Sequence, residues 1–159
     1  MINTVVAPGL ATDAETFLWY DANPRLKLGI AHLAKQGAFR VLGSYQLCPE
    51  TDSKPSFHIG AGVQGIGTGN PGFSARAEKS FDTELGHVNT YVGLGLRSNE
   101  NHSHGLAGVK LRLPSGFGVG VQMDGHQTNP FATYSEGQWT VGLFLIEGKN
   151  AAYMVGARF

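Results

Sequence analysis

The chain repeats one pattern along most of its length, in which apolar side chains alternate with polar side chains or glycine. In residues 117–124, every second residue is Phe, Val or Met, and the residues between them are Gly, Gln or Asp. The same period of two occurs in residues 25–30, 57–64, 88–97 and 108–113. Successive side chains of a β-strand point to opposite faces, so this pattern predicts strands with one apolar face.

Clusters of Gly, Pro, Asn and Asp separate these segments, as expected for turns. Evenly spaced strands without a helical period indicate an all-β fold, an antiparallel up-and-down barrel. We expect a single barrel domain over residues 14–159, preceded by an N-terminal segment, 1–13. The pattern predicts about ten strands, with eight to twelve as the range, near residues 14–21, 24–34, 38–48, 56–66, 72–81, 87–97, 104–113, 116–125, 138–147 and 150–159.

Alternation alone leaves open which face lies inside. A water-soluble barrel turns its apolar face inward, whereas a membrane barrel turns that face outward to lipid. The distribution of charge favours the membrane arrangement. The chain has 12 Lys and Arg residues, and only Lys79 among them shares a face with apolar strand residues. Side chains on the opposite face are expected to line the lumen, and those with charge are Arg25, Lys27, Arg40, Arg76, Glu78, Arg97, Lys110, Arg112, Asp124 and Arg158.

Glycine and aromatic residues favour the same arrangement. The chain has 23 glycines in 159 residues, about twice the usual ~7%, and many lie on the polar face. There they would make room inside a narrow barrel for long basic side chains or for water. Aromatic residues on the apolar face gather near strand ends, as in the girdles of membrane barrels. The expected girdle is Phe39, Tyr45, Phe57, Phe73, Phe81, Phe117, Trp139, Tyr153 and Phe159.

The end of the chain resembles the terminal strand of bacterial outer-membrane β-barrel proteins, including porins. In that family the last residue is Phe, and apolar residues precede it at every second position. Here Tyr153, Val155, Ala157 and Phe159 fit this motif. The resemblance implies that these four residues are the signal recognised by the barrel-assembly machinery. It also implies a location in the outer membrane of a Gram-negative bacterium, in contact with membrane lipid.

Two features depart from the family. No signal peptide precedes the first strand, so we expect this chain to be a mature or engineered form. With ten strands, the long connection 125–137 would fall on the periplasmic side, where the family has short connections. Residues 2–8 and 130–135 are candidates for two further strands, which would give twelve.

Several chemistries are not supported by the sequence. Equal numbers of basic and acidic residues, 12 each, argue against nucleic-acid binding. Gly60–Gly65 matches G-x-G-x-x-G, but a turn follows where a dinucleotide site needs a helix, so no cofactor is expected. His102 and His104 could offer two imidazoles to a metal ion, yet no ligand at a fixed spacing completes the site. We therefore expect neither a bound metal nor catalytic residues.

The function expected from these features is a porin-like or small-solute channel. A lumen lined by bases favours anions if it is open, which suggests a small anionic solute as partner. If the lumen is closed, the bases pair with acids, and the protein would be a structural, adhesion or oligomer-forming barrel that acts through its loops. Less favoured alternatives are an outer-membrane enzyme active at the barrel rim and a soluble barrel that binds an apolar ligand.

Overall fold

The computed structural model of the protein describes residues 1–159. Twelve antiparallel strands each pair with their neighbours in sequence, and the first strand pairs with the last to close a barrel. It contains no helix long and apolar enough to cross a membrane. The strands are β1 (Ile2–Ala7), β2 (Asp13–Asn23), β3 (Leu26–Leu33), β4 (Ala38–Cys48), β5 (Ser56–Val63), β6 (Pro71–Thr83), β7 (Gly86–Arg97), β8 (Ser103–Arg112), β9 (Phe117–Met123), β10 (Thr128–Glu136), β11 (Trp139–Ile146) and β12 (Asn150–Ala157).

The predicted all-β antiparallel barrel is confirmed, but the prediction of about ten strands is wrong, because the barrel has twelve. The additional strands are β1 and β10, at the two segments considered above as further candidates. Each carries an apolar residue on its inner face, Val5 in β1 and Phe131 in β10, which obscures the alternation. Because β1 pairs with both β12 and β2, residues 1–13 are part of the barrel and not a separate segment.

The two faces of the barrel differ sharply in exposure. Val41 is 82% exposed on the outer face, whereas the next residue, Leu42, is 2% exposed on the inner face. Apolar side chains are exposed on the outer face of most strands, and we name this set of residues the apolar belt. The apolar belt comprises Leu18, Leu28, Ile30, Val41, Ile59, Val92, Leu94, Leu96, Val109, Val119, Val141, Leu143, Leu145 and Val155.

The inner face is also partly apolar, which the sequence pattern did not predict. A buried cluster on β1, β11 and β12 consists of Val5, Ala7, Phe144, Ile146 and Ala152. Partly buried side chains of the β2, β10 and β12 strands pack against it. Burying each large apolar side chain contributes about 1.5–3 kcal/mol, so this cluster stabilises one wall of the barrel from within.

The two ends of the barrel are formed by different sets of connections. The end that holds both termini, here the terminal end, has connections 24–25, 49–55, 84–85, 113–116 and 137–138. The opposite end, here the distal end, has connections 8–12, 34–37, 64–70, 98–102, 124–127 and 147–149. The buried apolar cluster lies toward the distal end, where β1 and β11 finish and β12 begins.

Replacing Ile146 with alanine tests the inner cluster. Ile146 is 1% exposed, so the substitution should leave a cavity and lower the free energy of unfolding by about 2–5 kcal/mol. Urea unfolding in detergent micelles, followed by tryptophan fluorescence, measures this loss. Leu145→Ala is the matched control, because Leu145 is 38% exposed on the outer face and leaves no enclosed cavity. Equal losses in the two variants would contradict the assignment of the faces.

Candidate functional site

The connection between β5 and β6 folds into the distal opening of the barrel. We name residues 64–70 the plug loop. Gly67 and Gly69 of this loop are buried, and Ile66 packs against the apolar cluster on the opposite side of the ring. The hydroxyl of Thr68 donates a 2.6 Å hydrogen bond to the carbonyl oxygen of Gln64, which keeps the loop compact. The plug loop therefore narrows the lumen at its distal end.

A buried carboxylate holds the plug loop in place. Glu15 of β2 is 2% exposed. Its Oε2 accepts a hydrogen bond from the N–H of Gly67 at 3.1 Å, and its Oε1 accepts one from the N–H of Gly69 at 3.2 Å. Both glycines have positive φ, +72° and +66°, which other residues rarely adopt. A Cβ at Gly67 would overlap Leu10, and one at Gly69 would overlap Thr12.

The sequence did not indicate Glu15 as a functional residue. It lies on the same face of β2 as Phe17, so the alternation gave no sign of a polar inner position. The partner glycines are 52 and 54 residues away along the chain. Only the closed ring brings β2 to the plug loop.

Most of the residues predicted to line the lumen lie on its wall or at its openings. On the inner faces of strands are Lys27, Arg40, Arg76, Glu78, Arg97, Lys110 and Arg112. Asp124 lies in the distal connection after β9, and Arg158 follows β12 at the terminal end. Arg25 is the exception, because it lies in the exposed turn between β2 and β3 and does not line the lumen.

Some of these bases are neutralised by nearby acids. Lys27 pairs with Asp21 at 3.3 Å, and Arg76 pairs with Glu78 at 2.6 Å. Arg97 lies 3.2 Å from Asp124 and also contacts Glu100. No acidic group lies within ion-pair distance of the remaining four lumen bases, Arg40, Lys110, Arg112 and Arg158.

Unpaired positive charge collects at the terminal end. A cavity of about 220 Å³, which we name the basic vestibule, is lined by Arg112, Arg158 and the N-terminal Met1. The amino group of Met1 donates a 3.0 Å hydrogen bond to the carbonyl oxygen of Trp19. Lys110, one inner position further from the terminal end than Arg112, lies over the ring of Phe131. These cations thus lie along the inner wall near the terminal end.

The lumen holds further space beneath the plug loop. A cavity of about 270 Å³ is lined by Glu15, Gln64, Arg76, Tyr91 and Asp124, among others. A smaller cavity of about 160 Å³ lies beside Trp19, His58 and Gly60. These two cavities adjoin, because Phe17, Val63, Gln64, Ser74 and Arg76 line both of them.

The glycines of the inner face make room chiefly for aromatic rings. A Cβ at Gly108 would overlap the ring of Tyr91, and one at Gly120 would overlap the ring of Phe131. Gly29 lies against Trp19 in the same way. Basic side chains are accommodated at fewer positions, such as Gly93 beside Arg76. The expectation that these glycines leave space for bases or water therefore holds for only part of the wall.

The predicted girdle residues are exposed on the outer surface, but they are not distributed equally. Phe39 and Phe73 lie near the distal end, and Tyr153 lies within β12. The other six lie near the terminal end, at Tyr45, Phe57, Phe81, Phe117, Trp139 and Phe159. Two tyrosines outside the predicted girdle also lie near this end: Tyr20 is 70% exposed, and the ring of Tyr134 contacts that of Phe117. The aromatic girdle is therefore dense at the terminal end only.

The one strand lysine on the outer face is covered by a loop. The ammonium group of Lys79 lies 3.3 Å from a carboxylate oxygen of Glu50 and bonds the carbonyl oxygens of Thr51 and Asp52. Glu50 also accepts a 2.9 Å hydrogen bond from the N–H of Ser80. That hydrogen bond, together with Lys79, lowers the pKa of Glu50. The connection 49–55 thus pairs the charge of Lys79 and partly covers its side chain.

At the distal end, four side chains converge that the sequence did not connect. His102 and His104 were the metal candidates, and the structure adds His126 and Glu100. We name these four residues the histidine cluster. Nε2 of His104 is buried and contacts Oε2 of Glu100, and the Nε2 atoms of His126 and His102 lie 3.1 and 4.0 Å from that oxygen. Burial would raise the pKa of Glu100, but the hydrogen bond from His126 and the charges of His104, His126 and Arg97 lower it.

Strand register explains how His126 reaches the cluster. Ala107 of β8 pairs with Met123 of β9, and continuing this register past the strand end places His104 opposite His126. In the sequence His126 is an isolated residue between strands. Knowledge that β8 pairs with β9 in this register would have predicted that His126 lies near His104.

Comparison with protein-family models, with curated proteins and with solved structures found no match to this chain.

Removing the Glu15 carboxylate should release the plug loop. In Glu15→Ala, two buried N–H groups lose their acceptor, which costs about 1–3 kcal/mol for each group that stays buried. We expect the loop to leave the opening and the amides of Gly67 and Gly69 to exchange hydrogen much faster with solvent. Hydrogen exchange measures this change, and Glu84→Ala, in an exposed turn at the terminal end, is the control. Unchanged protection of both amides in Glu15→Ala would show that Glu15 does not hold the loop.

Proposed function

We propose that this protein is an integral β-barrel of the bacterial outer membrane. The observation that carries the proposal is the apolar belt, which encircles a closed barrel and contains side chains such as Val92 and Leu94, 64% and 59% exposed. Surfaces of this kind on a water-soluble monomer would cause association, whereas in lipid they are favourable. The covered charge of Lys79 supports the same location.

The orientation follows from the ends of the barrel. The aromatic girdle at the terminal end is suited to a membrane interface, where amphipathic rings lie at headgroup level. The residues Tyr153, Val155 and Ala157 lie on the outer face of β12, at the seam with β1. Together with Phe159 they would be available to the barrel-assembly machinery. We therefore propose that the terminal end faces the periplasm and the distal end faces the exterior.

We further propose that the lumen is a narrow channel for small solutes with a preference for anions. The support for this selectivity is the unpaired charge of Arg112 and Arg158 in the basic vestibule. Rings of Arg and Lys favour anions in pores because their field offsets the cost of dehydration. The plug loop restricts the distal opening, so its position sets the width of the passage.

A second function is favoured by a different observation. The plug loop and the buried apolar cluster occupy the distal part of the lumen. If this arrangement is permanent, the barrel does not conduct, and its function belongs to the distal loops as a structural, adhesion or oligomer-forming protein.

A pair of arginine substitutions on one strand tests the membrane location. Val92 lies in the middle of β7 and Val88 near its terminal end, both on the outer face. In a bilayer, Val92→Arg should cost about 2–4 kcal/mol and Val88→Arg about 0–1 kcal/mol, because the penalty falls toward the interface. Folding yield and urea stability in lipid vesicles measure both. A water-soluble barrel would instead tolerate Val92→Arg and remain monomeric without detergent.

Planar bilayer recordings under a chloride gradient test the channel. We expect small current steps with a reversal potential that favours chloride, and larger steps for Glu15→Ala. Arg112→Glu should weaken the chloride preference, because it reverses a charge in the basic vestibule. Arg25→Glu is the matched control, since Arg25 lies in an exposed turn at the same end. Stable insertion with no current, in both the wild type and Glu15→Ala, would support the non-conducting barrel.

A further inference from the structure

We propose that the histidine cluster binds a divalent transition-metal ion, with Zn²⁺ as the best fit. The four residues offer one ligand atom each, and these atoms lie within 4.8 Å of one another. Ligands of a tetrahedral Zn²⁺ at about 2.0–2.1 Å are roughly 3.3 Å apart, so small side-chain rotations would bring them into range. Three imidazole nitrogens and one carboxylate oxygen are donors that Zn²⁺ commonly uses.

The surrounding groups orient these ligands. Nδ1 of His102 lies 3.3 Å from Oδ1 of Asn101, and a hydrogen bond there leaves Nε2 free to bind a metal ion. Arg97 lies 3.6 Å from Oε1 of Glu100, while Oε2 of the same carboxylate faces the imidazoles. Partners of this kind fix the tautomer and direction of metal ligands in proteins.

The charges near the cluster can accommodate a cation. Arg97 carries the one permanent positive charge in contact with it, and its guanidinium also pairs with Asp124. The two carboxylates, Glu100 and Asp124, exceed that single charge. A divalent ion would therefore enter a site with an excess of negative charge, between imidazoles that carry no obligatory charge of their own.

Burial separates this cluster from a chance group of surface histidines. The side chain of His104 is 3% exposed and that of Glu100 is 18% exposed, whereas His126 and His102 are 40% and 63% exposed. The two buried ligands, His104 and Glu100, thus form the floor of the site. The other two lie on the solvent side, where an ion can enter. The exposed ligands would close over the ion.

A bound ion would connect two distal connections of the barrel. Glu100 and His102 belong to the connection before β8, and His126 belongs to the connection after β9. Asp124, which bonds the backbone N–H groups of His126 and Gln127, lies beside Gly65 of the plug loop. Metal binding would therefore stiffen the rim against which the plug loop rests. This inference does not depend on the membrane location or on conduction.

Metal binding can be measured on the folded protein in detergent, prepared without a histidine-containing tag. Co²⁺ is the spectroscopic probe, because tetrahedral Co²⁺ has intense visible absorption bands, and Zn²⁺ should displace it. We expect one ion per chain. His126→Gln should weaken Co²⁺ binding at least about tenfold, since even the loss of an outer-sphere partner costs tenfold or more. The double variant with His102→Gln should abolish the tetrahedral bands.

The matched control is His87→Gln. His87 also bonds a carboxylate, Asp82, at 2.8 Å, but it lies at the terminal end and has no other histidine nearby. This variant should bind Co²⁺ like the wild type. His102 and His126 are exposed, so their variants should keep the barrel folded, which heat-dependent gel mobility can verify. Equal binding in all variants, or the absence of tetrahedral bands in the wild type, would overturn the proposal.

Discussion

The pairing of β1 with β12 is the constraint on which the other features of this structure depend. An open sheet of twelve strands would leave the N–H and C=O groups of two edge strands unpaired. Closing the ring satisfies both edges and divides space into an interior and an exterior. The alternation of apolar and polar residues along each strand then separates the side chains that point into the lumen from those that point outward. Without the short strand β1, Glu15 would border an edge and the inner apolar cluster would lack Val5 and Ala7.

The closed ring limits what can lie inside. A barrel interior holds a small number of side chains at each level, and here large rings compete for that space. A glycine on a neighbouring strand leaves room for each ring, as at Gly108 beside Tyr91 and Gly120 beside Phe131. At the distal end the space is filled by backbone instead, because the plug loop enters and its buried N–H groups need an acceptor. Glu15 supplies it, so a buried carboxyl group and two buried amides satisfy one another.

The charged side chains inside the barrel are paired differently at its two ends, although the chain has no net charge. At the distal end, Arg97, Glu100, Asp124 and the histidines form one paired network. At the terminal end, Arg112 and Arg158 face a cavity without acidic partners. The aromatic girdle is concentrated at this same end. The charged groups inside the barrel are therefore paired at the distal end, and those of the basic vestibule are unpaired at the terminal end.

The sequence by itself determined the strand pattern and the distribution of side chains between two faces, because a period of two is a local property of the extended backbone. It left β1 and β10 uncertain, since Val5 and Phe131 are apolar residues on the polar face. It also placed nine of ten charged residues at the lumen or its openings, with Arg25 as the exception. Only the tertiary structure decided which side chains meet. The plug loop folds into the barrel and brings Gly67 to Glu15, and the pairing of β8 with β9 places His126 opposite His104. No local pattern carries that information, because ring closure and register are set by all twelve strands together.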